Sequence, residues 1–131
     1  MPTRSRRAAV DAALARFQRA ATCITNRPVI TPNARSSVLP AYFGFAPVGT
    51  SVPLRAANGS WLALSMEHDY VVDIDGAGDF VVHTIGYRYH LLDADEREIL
   101  AYHWHPIGVS SVTFPHLHLS GRLAPLVLGP R

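Results

Sequence analysis

Residues 80–105 read FVVHTIGYRYHLLDADEREILAYHWH, and the alternation inside this stretch decides the fold. Aromatic and β-branched residues fill both ends, and a short polar segment, Asp93-Ala94-Asp95-Glu96, divides them. This predicts two strands, Phe80 to Leu92 and Arg97 or Glu98 to His105, joined by a tight turn. Side chains two apart in a strand share a face. A four-residue loop sets Leu92 opposite Arg97, His90 opposite Ile99, Arg88 opposite Ala101 and Tyr87 opposite Tyr102. One face then carries Ile85, Tyr87, Tyr89, Leu91, Leu100, Tyr102 and Trp104, the expected core. The other carries Thr84, Gly86, Arg88, His90, Ala101, His103 and His105. A slip of one residue would set aromatics against histidines, so burial resists it.

Upstream, Trp61 to Ile74 alternates cleanly, with Leu62, Leu64, Met66, His68, Tyr70, Val72 and Ile74 on one side. Asp75-Gly76-Ala77-Gly78-Asp79 is a hairpin loop; it lacks the ligand spacing and closing Glu of a calcium loop. Downstream, Pro106 ends the strand, and Ser110 to Leu119 predicts a fourth, interrupted at Pro115 and therefore an edge strand, a bulge or two short strands. Leu123 to Leu128 reads as a short closing strand.

The chain opens with a helix, Arg4 to Ala21, whose Val10, Leu14, Phe17 and Ala21 form one apolar stripe, capped by Thr3 or Ser5. From residue 25 to 60 there is no sustained period, yet Leu39, Tyr42, Phe43, Phe45 and Val48 are too apolar for a free linker. This segment is expected to pack irregularly over the domain, with a turn at Asn58-Gly59. The expectation is one α+β domain over residues 1–131: a basic helix in 1–24, the irregular segment in 25–60 and an antiparallel sheet in 61–128, open or rolled into a half-open barrel.

Composition narrows the chemistry. All twelve basic residues are arginine, which excludes a lysine nucleophile, and the single Cys23 excludes an intrachain disulfide or a thiolate cluster. No run of eighteen apolar residues and no apolar leader is present, so a cytoplasmic, non-membrane protein is expected. Residues 1–35 carry a net charge of +6 and the remainder −4. Arg4, Arg6, Arg7, Arg16 and Arg19 form a basic arm that either meets a nucleic-acid phosphate backbone or is solvated surface. An end at Gly129-Pro130-Arg131 without a polar tail fits a longer protein or a homo-oligomer.

Six of the seven histidines lie between residues 80 and 121, four of them in two His-x-His pairs, His103/His105 and His116/His118. Each pair places two imidazoles on one face, costly if buried without partners. His68 and His83, on apolar faces, are expected to be half-buried rings with hydrogen bonds. The paired four fit a site for one divalent metal, since zinc, iron and nickel accept imidazole nitrogen. A cupin is disfavoured because Pro-Ile-Gly follows the first pair where a spaced glutamate belongs; a histidine-triad hydrolase is disfavoured by Ser120. Alternatively, no metal is used: His103, His105, His116, His118 and His90 supply acid–base catalysis of phosphodiester cleavage or nucleotide modification, with Arg88 clamping phosphate. A third reading is a structural or protein-interaction module.

Tyr87-Arg88-Tyr89-His90, Glu98 to His103 with Trp104, and Phe114-Pro115-His116-Leu117-His118 resemble the core of small bacterial proteins of the TumE-like toxin group. The resemblance covers residues 60 to 121. It implies a toxin–antitoxin component with a protein antitoxin as partner; with the histidine chemistry above, such a component would act on RNA or nucleotide phosphodiesters. The chain departs from the group in having His-Leu-His where a denser histidine cluster is expected, and in its helix-plus-loop region.

Overall fold

The computed structural model describes residues 4–36, 38–55, 61–106 and 113–120. Helix α1 (Arg6–Thr22) starts at Ser5, whose Oγ accepts a hydrogen bond from the Ala8 amide at 2.9 Å. Its predicted stripe faces the sheet: Val10 and Ala21 are buried, and Leu14 and Phe17 pack against the core. At the other end Arg55 Nη1 donates to the Thr22 carbonyl at 2.9 Å, satisfying one of the acceptors a helix terminus leaves open.

Seven strands follow among the described residues: β1 (Val29–Ile30), β2 (Ala41–Phe45), β3 (Val52–Pro53), β4 (Ala63–Ile74), β5 (Phe80–Leu92), β6 (Glu98–Trp104) and β7 (His116–Leu119). They form one antiparallel sheet in the order β1-β2-β4-β5-β6-β7, with β3 also on β4. The sheet is open, not a barrel. The segment expected to be irregular therefore contributes three strands; at two to five residues each, they are too short to show a period. Asn58-Gly59, the region of 107–112 and Leu123 to Leu128 lie outside the described residues. No helix among the described residues is long and apolar enough to cross a membrane.

The two hairpins share one loop design. Asp75 and Asp93 each accept, through Oδ1, the amides two and four residues ahead, and each loop ends in a residue with positive φ, Gly78 or Glu96. The three-residue loop pairs Asp93 with Arg97 and moves the expected register by one residue, and a separate bulge at Ile99 moves it by one more. Tyr87 pairs with Trp104, Arg88 with His103, Tyr89 with Tyr102 and His90 with Ala101, two residues from the expectation, with Ile99 skipped between Leu91/Leu100 and Leu92/Glu98. An even shift preserves the faces, so the histidines stay together. A second bulge, at Asp69/Tyr70, skips Ile85. It moves Thr84 from the expected histidine face to the helix side and leaves Ile85 37% exposed instead of in the core. The same bulge carries His83 to the histidine side, opposite Val71, where it is exposed, 3.7 Å from Asp73.

The core lies between α1 and one face of the sheet. Phe43, fully buried, stacks between Phe17 and Tyr70 at ring-centroid distances of 4.7 and 4.4 Å. The Tyr70 hydroxyl meets Thr31 Oγ1 at 2.5 Å. His68 is the half-buried ring expected: Nδ1 meets Tyr89 at 2.7 Å and Nε2 meets Thr84 at 2.8 Å. Burial pushes its pKa down to about 4. The aromatic face continues through Tyr87, Tyr89, Tyr102 and Trp104, but Tyr102 is 41% exposed and so is no core residue.

Candidate metal centre

On the face away from α1 the register sets up two cross-strand rows. Glu67, Arg88, His103 and His116 stand side by side across β4 to β7; Ser65, His90, Ala101 and His118 form the next row. The end of the predicted fourth strand, β7, thus lies beside β6, and its His-x-His pair faces the same way as His103. Trp104 helps hold it there from the opposite face, Nε1 donating to the Thr113 carbonyl at 3.1 Å just before β7 begins.

His103, His116 and His118 each offer a ring nitrogen, and these nitrogens all lie within 4.8 Å of one another. Around a tetrahedral zinc, ligand nitrogens stand about 3.3 Å apart, so modest ring rotations close the set. Two details prepare these rings as ligands. His103 Nε2 is buried and lacks a hydrogen-bond partner among the described residues, and a buried polar atom without a partner is costly. The His116 Nδ1–H donates to the Phe114 carbonyl at 3.0 Å, which leaves Nε2 as the bare nitrogen. Metal-bound imidazoles usually carry such a donation on their other nitrogen. Burial, then the neighbouring imidazoles of His90, His118, His105 and His116, hold the His103 pKa below its ordinary value. The ring stays neutral and keeps the lone pair that coordination requires.

The remaining candidates sit around this set. His90 lies beside His103 at a ring-centroid distance of 5.0 Å, and its Nδ1 meets Glu98 Oε1 at 2.6 Å. His105 is 5.5 Å from the His103 ring centroid but stands outside the three-nitrogen group, its Nδ1 near Gly86. A Cβ at Gly86 would come 3.0 Å from the Trp104 carbonyl, so a larger residue there would press β5 away from β6. Arg88 is ion-paired with Glu67. Asp69 is half-buried on the same face; burial first, then the Glu67 carboxylate, push its pKa up to about 6 against the pull of Arg88. Arg4, Arg6, Arg7, Arg16 and Arg19 are all exposed at or along α1, on the opposite side of the sheet, with Arg7 3.7 Å from Asp11.

Sequence reasoning missed Glu98, Glu67 and Asp69. Simple alternation puts Glu98 on the aromatic face; the bulge at Ile99 turns it to His90. The loop at Asp93 to Arg97 does not signal that bulge, because the same loop at Asp75 to Asp79 is flanked by unbulged pairing from Ile74/Phe80 to Tyr70/Thr84. Searches of family models, curated proteins and solved structures match nothing to this chain.

Proposed function

We propose that this protein is a β domain that binds one divalent transition-metal ion, zinc being the best fit, through His103, His116 and His118. The observation that carries the reading is the three-nitrogen group, together with a buried His103 Nε2 that has no hydrogen-bond partner among the described residues. Imidazole nitrogens without thiolate or carboxylate suit zinc, copper, nickel or cobalt better than calcium or magnesium, which favour oxygen.

Metal-free phosphodiester cleavage has less support. It needs a cation free to meet the phosphate, and Arg88 is occupied by Glu67. The basic arm and the aromatic residues Tyr87, Tyr89, Tyr102 and Trp104, which could stack on bases, lie on the other side of the sheet from the histidines, so they would not grip one RNA strand together with them. The toxin–antitoxin reading, with its antitoxin partner, rests on the short motifs alone.

Elemental analysis of protein purified without chelator tests the proposal. About one ion per chain is expected, and His118→Ala, an exposed position, should lose it while keeping the apo-protein melting temperature. Zinc in hundredfold excess over its Kd should stabilise the wild type by about 2.7 kcal/mol. A wild-type protein with no ion and no zinc-dependent rise in Tm would overturn the reading.

A further inference from the structure

We infer that His90, held by Glu98, is a fourth ligand of this metal site and closes it over Ala101. The inference rests on the three-histidine reading above and decides what kind of site it is. His90 and His118 are the cross-strand neighbours of Ala101 on β5 and β7. Strand spacing puts their backbones roughly 9.5 Å apart, and only a methyl group stands between them. Ala101 is nevertheless 0% exposed. The His103 ring, next to it on β6, has its centroid 5.0 Å from that of His90 and 5.1 Å from that of His118. The recess over Ala101 is therefore bounded by imidazoles on β5, β6 and β7.

His90 is prepared as a ligand in the same manner as His116, with a stronger partner. Its Nδ1 is engaged by the Glu98 carboxylate at 2.6 Å, which makes Nε2 the nitrogen left to bind. A carboxylate behind a ligating imidazole fixes the ring and raises its basicity. Glu98 reaches that place only because of the bulge at Ile99. His90 and His105 both stand outside the three-nitrogen group, and of the two His90 is the one with a carboxylate on its ring among the described residues. Three imidazoles leave an open coordination position, as catalytic zinc sites do; four close the shell, as structural sites do. The closed shell assigns this site to retention of the ion, with water excluded from it.

Cobalt(II) titration of the full chain at several pH values separates the outcomes, because a metal-bound water ionises at about pH 7 and shifts the visible bands, whereas four imidazoles leave no water to ionise. The wild type should give an intense four-coordinate spectrum that does not change with pH around neutrality. His90→Ala and His90→Gln should still bind, more weakly, with water in the vacated position, so that their spectrum changes as that water ionises while the wild-type spectrum does not; Glu98→Gln, removing only the positioning carboxylate, should lower affinity by about 10- to 100-fold and keep the wild-type bands. Apo-protein melts of each variant check that it is folded, and two His90 substitutions guard against one failing. If both folded His90 variants keep the wild-type spectrum and affinity while His103→Ala abolishes binding, the three-histidine site stands and the fourth ligand falls. If the wild type binds no cobalt or zinc, the metal reading falls and takes this inference with it.

Discussion

At β2 and β4 the sheet buries Phe43 completely between Phe17 and Tyr70; at β6 and β7 Tyr102, Leu117 and Leu119 on the same side are 41%, 56% and 49% exposed. Every buried hydrophobic among the described residues belongs to α1, β1–β4 or, in one case, Ala101 of β6. The two regions are one continuous sheet with two tasks. Under the helix, apolar burial supplies the free energy that offsets chain entropy. Beyond it, hydrogen-bonded pairing extends the sheet far enough to align histidines from three strands.

Unequal truncation costs would sharpen this contrast most. Phe43→Ala should destabilise the protein by about 4 kcal/mol, the range for a buried phenylalanine. Tyr102→Ala should cost about 1 kcal/mol or less, as expected for an exposed site. Equal shifts in denaturant midpoint would break the contrast and place Tyr102 in the core.

Acidification probes the boundary between the two sides of the sheet. His68, on the helix side, has its pKa lowered to about 4, so its unfolded form binds a proton first and stability is lost as pH falls from 6.5 toward 4. Asp69, next in sequence and on the histidine side, has its pKa raised to about 6, so stability is gained as pH falls through 6 toward 3.8. The windows overlap and the effects oppose. Allowing for partial solvent screening, each is worth about 2 kcal/mol at most. Denaturation between pH 4 and 7 should show Asp69→Asn losing stability more steeply in acid than the wild type, and His68→Gln less steeply. Identical slopes in all three would mean that neither group is desolvated.

The smallest effect belongs to the loops. Glu96 occupies with φ 60° the place that Gly78 occupies with φ 82° in the twin hairpin. Glu96→Gly should therefore stabilise by about 0.5–1 kcal/mol, read as a small rise in Tm. A loss would show that the Glu96 side chain contributes something its backbone strain conceals.

The fold was legible where alternation was long. β4, β5, β6 and their faces follow from period two, and α1 from period 3.6. Position along the strands was not, because each bulge inserts one residue, Ile85 or Ile99, that no turn residue beside it announces. The consequence was uneven. An even register error left His103, His116 and His118 on one face, as the two His-x-His pairs imply. The bulges relocated Thr84, His83 and Glu98, so the orienting carboxylate of His90 went unseen. Coverage was equally hidden: nothing in Tyr102 or Trp104 says that the helix stops short of burying Tyr102.

The strand order β4-β5-β6 joins neighbours in sequence through two short loops, whereas β1 and β2 meet their partners across much longer stretches of chain. Closing a short loop is entropically cheaper and faster than closing a long one. The order of assembly is then expected to invert the order of stability, with the weakly buried half zipping up from its turns before the helix docks on Phe43. In stopped-flow refolding, Glu96→Gly should raise the folding rate while Phe43→Ala acts mainly on unfolding; the reverse pattern would mean that the hydrophobic half leads.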